Sequence, residues 1–129
     1  MDTIGEFLTR VRNAGLAKHE KLDVPASKMR VGIGKILLES GYIRSFKVAK
    51  DGKQGVMRVY LKYGDNGKPV ITAVDRVSRP GRRVYVKAHD IPQVRNGYGI
   101  SILSTNRGIV DGDKAKLDNL GGELLCQVW

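Results

Sequence analysis

The run Gly64-Asp-Asn-Gly-Lys-Pro69 separates two stretches whose apolar residues repeat at different periods. Glycine, asparagine and proline grouped this way favour turns and interrupt helix and strand alike. Before the break, helix-spaced and strand-spaced runs alternate; after it, apolar residues fall mostly at strand spacing. The expectation is an α+β chain. Residues 1–66 form an N-terminal α/β lobe, two helices on a small sheet, packed against a β-rich C-terminal lobe with a short helix in 67–129. The 129 residues, 41% of them hydrophobic, suffice for one compact domain or two small lobes sharing a boundary.

In the first stretch, Thr3 and Glu6 have capping-box spacing. Ile4, Phe7, Leu8, Val11 and Ala14 then make one helical face, which leaves Arg10 and Arg12 outside the stripe. Those arginines are either a solvated face or one that meets a ligand. An extended piece, Leu22–Pro25, precedes Ser27, a good N-cap for a helix from Lys28 to Gly41. Gly32 and Gly34 inside that helix either permit a close neighbour or are a tolerated weakness. Residues 42–48 and 56–63 are expected to pair through a Gly-containing turn at 50–55. Met57, Val59, Leu61 and Tyr63 take one face; Arg58, Tyr60 and Lys62 take the other.

Beyond the break, strands are expected at 70–77 and 84–87, flanking Arg79-Pro-Gly-Arg82 as a type II turn. A single helical turn is expected over 90–97, a short strand over 100–103, a helix within 111–120 and a last strand over 123–129.

Charge narrows the function. Lys and Arg number 23 against 13 Asp and Glu, a net charge of +10. An excess of that size repels itself unless an acidic partner relieves it, and phosphate is the common one. The excess is uneven: residues 1–50 carry +5, 51–103 carry +6 and 104–129 carry −1. Any contact made by the last segment therefore rests on hydrogen bonds and shape.

Chemistry of other kinds finds little support. One cysteine, Cys126, sits in an apolar run and reads as a buried, inert thiol. His19 and His89 stand in unrelated settings, so no metal site is expected. Gly97-Tyr-Gly99 lacks the third glycine of a dinucleotide loop, and Gly32-Ile-Gly34-Lys35 lacks P-loop spacing. No catalytic residue and no cofactor is called for. No apolar segment is long enough to span a membrane and no signal-peptide core opens the chain, so a cytoplasmic protein is expected.

Two segments carry binding chemistry. Between Arg76 and Arg95 there are six basic residues and one acid, with Arg83 and Lys87 flanking Tyr85. Tyr85 either stacks on ligand or is a half-buried strand residue. The second is Ser104-Thr105-Asn106-Arg107, closed by Gly108, a tip of hydroxyl, amide and guanidinium groups. Its side chains either meet a ligand or bond only to their own backbone.

Those residues also carry a resemblance. Gly99-x-x-Ile-Leu-Ser-Thr-x-x-Gly-Ile-Val110, followed by Ala115-Lys116, is similar to the signature of the bacterial small ribosomal subunit protein eight family. Thr9-Arg-Val-Arg-Asn13, Val24-Pro-Ala-Ser-Lys28, Leu61-Lys-Tyr-Gly64, Arg79-Pro-Gly81, Arg83-Val-Tyr-Val-Lys87 and Gly121-Gly-Glu123 extend the resemblance over the whole chain. It implies a structural constituent of the small subunit. Such a protein binds an irregular stem in the central domain of small-subunit ribosomal RNA and supports assembly, with neighbouring ribosomal proteins as further partners. Repression of its own messenger RNA, through a mimic of that stem, is the implied second role. Carried onto this chain, the recognising residues are Ser104, Thr105, Asn106, Tyr85, Gly122 and Glu123. Arg10, Arg12, Asn13 and Lys28 are peripheral candidates. A phosphate-ester enzyme would need clustered carboxylates or histidines, and a protein-only module would have no affinity for the stem.

Overall fold

A computed structural model describes residues 2–50 and 52–129. The first helix, α1, spans Thr3–Leu16, and its buried face is Ile4, Phe7, Leu8, Val11, Ala14 and Gly15. Its N-cap is Asp2 and not the expected Thr3: the Asp2 carboxylate accepts from Gly5 N at 3.1 Å. A short anionic side chain satisfies a free amide and complements the helix dipole together, which a threonine one residue later does less well. α2 spans Lys28–Glu39 behind the expected cap Ser27, whose hydroxyl accepts from Arg30 N at 3.1 Å.

Three antiparallel strands, β1 (Lys21–Pro25), β2 (Ile43–Ala49) and β3 (Val56–Leu61), form a sheet in the order β1-β3-β2. β3 lies in the middle and alternates as expected, with Met57, Val59 and Leu61 buried. In the turn joining β2 to β3, Gly52 and Gly55 have positive φ, while Asp51 lies outside the described residues.

The second sheet departs further from expectation. Residues 70–77 and 84–87 reduce to β4 (Val74–Arg76) and β5 (Tyr85–Val86). The two do not pair with each other. Both lie antiparallel along one edge of β8 (Gly122–Val128), β4 against 126–128 and β5 against 122–123. The turn between them is closed by Arg82 N donating to Arg79 O at 2.9 Å. Gly81 lacks the positive φ that a type II turn demands. The single helical turn expected over 90–97 is two 3-10 turns, Ala88–Asp90 and Arg95–Gly97. Pro92 explains the interruption, because the residue before a proline is driven out of the helical region and Ile91 has ψ 121°.

On the other side of β8 runs β6, Ile100–Thr105, longer than expected. It pairs with β7 (Gly108–Asp111), which leads into α3 (Gly112–Leu117). One hydrophobic cluster joins Phe7, Leu8, Ile33, Leu37, Met57 and Val59 to Ile102, Leu125, Cys126 and Val128. A smaller one holds Leu103, Val110 and Leu124 against Ala115 of α3. The sheet is thus covered on both faces. A Cβ on Gly32 would lie 2.7 Å from Ile109 Cγ1, and one on Gly34 would lie 2.5 Å from Met57 Cε. Both glycines of α2 are sites of close approach. Among the described residues, no helix is long and apolar enough to cross a membrane.

Candidate nucleic-acid interface

The Ser104–Gly108 segment is a β-hairpin and not a loop on a strand end. Thr105 pairs with Gly108, so Ser104 and Thr105 belong to β6 and only Asn106 and Arg107 form the exposed turn. Gly108 follows with φ 100°, the left-handed position that closes such a hairpin. Thr105 Oγ1 accepts from Arg107 N at 3.1 Å and donates to Gly108 O at 2.9 Å. Its hydroxyl proton is therefore spent on turn shape. Ser104 is half-buried, and among the described residues its hydroxyl has no intramolecular partner.

Register places Ser104 opposite Glu123, and Glu123 opposite Tyr85. Directly opposed residues share a face, so three strands contribute one row of side chains. Tyr85 is 69% exposed, its ring open to solvent, so it is not the half-buried strand tyrosine. Glu123 is held from two sides: the buried Ser78 hydroxyl donates to Oε2, and Arg83 Nη1 lies 3.1 Å from the same oxygen. Ser78 Oγ also accepts from Val84 N at 3.2 Å, tying β5 to the row. Nothing local in Val77-Ser-Arg-Pro80 marks this serine, because its partners come from other strands.

Gly122 is squeezed. A Cβ there would sit 2.2 Å from Ser104 O, while one on Gly121 would sit 2.7 Å from Val86 O. The two glycines let β6 and β5 close on the start of β8, which sets the width of the row.

The remaining candidates are spread apart. Lys28 is exposed on the first turn of α2 and lines a cleft of about 1000 Å³ with Gly108, Ile109 and Lys114. It therefore faces the base of the hairpin. Lys87 is exposed two residues after Tyr85. Arg10 and Arg12, two residues apart on a helix, point about 200° apart. Arg10 approaches Asp23, and Arg12 lies in the groove against Arg76 and Arg79 with its guanidinium 3.4 Å from Asn13 Oδ1. They do not form one patch. Arg76, part of the basic run, is a structural residue: it pairs with Asp2 at 3.1 Å and donates to Leu125 O at 2.6 Å. Burial pushes the Cys126 thiol up to about 12, so it is neutral and unreactive near neutrality.

On this α+β scaffold one row thus presents the Ser104 hydroxyl, the Glu123 carboxylate held by Ser78 and Arg83, and the open ring of Tyr85, with the exposed Arg107 in the hairpin turn and the exposed Lys87 two residues after Tyr85. The family model of ribosomal protein S8 matches residues 2–129. The small ribosomal subunit protein uS8 of Bdellovibrio bacteriovorus is 64% identical over 129 residues, covering all of both chains. That of Solibacter usitatus is 56% identical over 128 residues, covering 99% of this chain and 98% of the relative. That of Clostridioides difficile is 52% identical over 128 residues, with 99% and 97% covered. The chain belongs to the ribosomal protein S8 family, and a structural place in the small ribosomal subunit goes with it.

Proposed function

We propose that this protein binds an irregular stem in the central domain of small-subunit ribosomal RNA and steadies it during subunit assembly. The observation that carries the reading is the row Tyr85–Glu123–Ser104, with the Asn106–Arg107 turn beyond it. A regular A-form helix hides its base edges in a deep, narrow groove, whereas irregularity opens them and 2′-hydroxyls lie in the shallow groove. Ser104 offers a free hydroxyl to such groups, and Asn106 an amide that both donates and accepts. Tyr85 supplies a ring against ribose or an unstacked base. Arg107, Lys87 and Lys28 meet phosphates, as does the open side of Arg83 while Glu123 fixes its other side. Gly122 and Thr105 act on shape. Residues 67–129 read the stem; Arg10, Arg12 and Asn13 make outlying contacts on separate sides. Neighbouring small-subunit proteins are the other partners. A messenger RNA folded like the stem would meet the same row, which makes repression of its own transcript an extension of one binding event.

Binding to the irregular stem and to a regular duplex, each followed over a salt series, tests the reading. Ser104→Ala is expected to weaken stem binding by about 1–1.5 kcal/mol with its salt slope unchanged. Arg107→Ala is expected to weaken both RNAs alike and to reduce the slope by about one. Equal affinity of the unmodified protein for stem and duplex would sink it.

A further inference from the structure

The far end of the second sheet carries a cluster that the stem contact leaves unused. β6 rises about 3.3 Å per residue, so Tyr98 and Trp129 lie roughly 17 Å or more from the hairpin turn. There the Arg95 guanidinium lies 4.5 Å from the centroid of the Trp129 ring. Arg95, Asn96 and Gly97 have φ of 49°, 55° and 92°, three successive residues in left-handed backbone. Gly97 N donates to Val94 O at 3.0 Å and Tyr98 N to Arg95 O at 3.1 Å, which closes the turn.

That turn leaves Tyr98 86% exposed, while the Tyr42 hydroxyl donates to its carbonyl at 3.1 Å. Trp129 is fixed from below by paired backbone bonds with Ala73. Between them lies a hollow of about 730 Å³ lined also by Ser40 and Thr72, with no Asp or Glu side chain in its wall. Among the described residues no carboxylate side chain pairs with Arg95.

We infer that this hollow is a second RNA site, which takes an unpaired nucleotide. Its base stacks on the open face of the Arg95 guanidinium, or on the Tyr98 ring, and its phosphate lies toward Arg95. Aromatic rings beside an unneutralised arginine are the chemistry that holds single-stranded nucleic acid, since every base offers a π-face. A paired helix presents no free base face, so this site discriminates by strandedness where the hairpin discriminates by shape. The inference shares with the proposed function only the choice of RNA as ligand.

Trp129 is the lone tryptophan of the chain and reports on the site directly. The full chain is titrated with a short oligoadenylate while Trp129 emission is followed. Quenching is expected, and Tyr98→Ala and Arg95→Met should each weaken the binding about tenfold. Ser104→Ala should leave it intact, so loss of stem binding with quenching retained upholds this site on its own. Unchanged emission, or affinity untouched by both variants, would overturn the inference. So would equal quenching by an abasic ribose-phosphate oligomer or by an oligoglutamate peptide, the latter marking a protein-docking face.

Discussion

Gly122 shows how a single residue sets the spacing of the Tyr85–Glu123–Ser104 row. Its missing side chain is replaced by the Ser104 carbonyl, so any Cβ must push β6 away from β8. Gly122→Ala is therefore expected to cost about 1–3 kcal/mol, read as a lowered urea midpoint, and to weaken stem binding as well. Ser104→Ala should lower only the affinity, so comparing the two variants separates shape from contact. The sequence places Gly122 just before the last strand, and the resemblance marks it as a recognising residue, not as a point of close packing. The squeeze was not legible there, because it is produced by β5 and β6, which are distant in the chain. Thr105 teaches the same lesson from the other side. Its type suggested a ligand contact or a turn bond, and the fold assigns its hydroxyl to the turn.

Among the elements, α1, α2 and β3 were legible because each is specified within its own residues. A stripe at helical spacing or an alternation at strand spacing needs no knowledge of the partner. β4 and β5 were overextended because strands of three and two residues exist only where β8 offers an edge. α2 also conceals a joint. Arg30 is 5% exposed, with Nη1 donating to Pro25 O at 2.8 Å, Nη2 to Thr3 O at 3.1 Å and its guanidinium 6.0 Å from the Phe7 centroid. No carboxylate joins it among the described residues. The fork ties α2 to the start of α1 and the end of β1, a span that a point-charge lysine does not reproduce. Arg30→Met should lower stability by about 2–3 kcal/mol in urea unfolding, through loss of the guanidinium hydrogen bonds to Pro25 O and Thr3 O. An unchanged midpoint would mean that desolvating the guanidinium costs as much as its bonds return.

At the scale of the molecule, the Asp2–Arg76 pair fastens the head of α1 to the second sheet across the shared core. Partial burial pushes the Asp2 carboxyl up, but the Gly5 amide and the Arg76 guanidinium outweigh it and hold it below its usual 3.8. A carboxyl depressed in the folded state stabilises above its unfolded pKa, and the gain is lost as pH falls through the folded value. Asp2→Asn keeps a capping oxygen and removes the charge. Its urea midpoint should trail the unmodified protein near neutrality, and the gap should close as pH falls below the usual 3.8 and through the depressed folded value. A gap that persists in acid would assign the loss to packing. The family, the basic character and the ladder of helices and inner strands were determined by the sequence alone, since each rests on residues close together in the chain. The joining of Ser104, Glu123 and Tyr85, the clamp by Ser78 and the turning apart of Arg10 and Arg12 were decided only by tertiary structure. Those relations depend on which strand lies beside which and on how each helix is rotated, and no local run of residues records either.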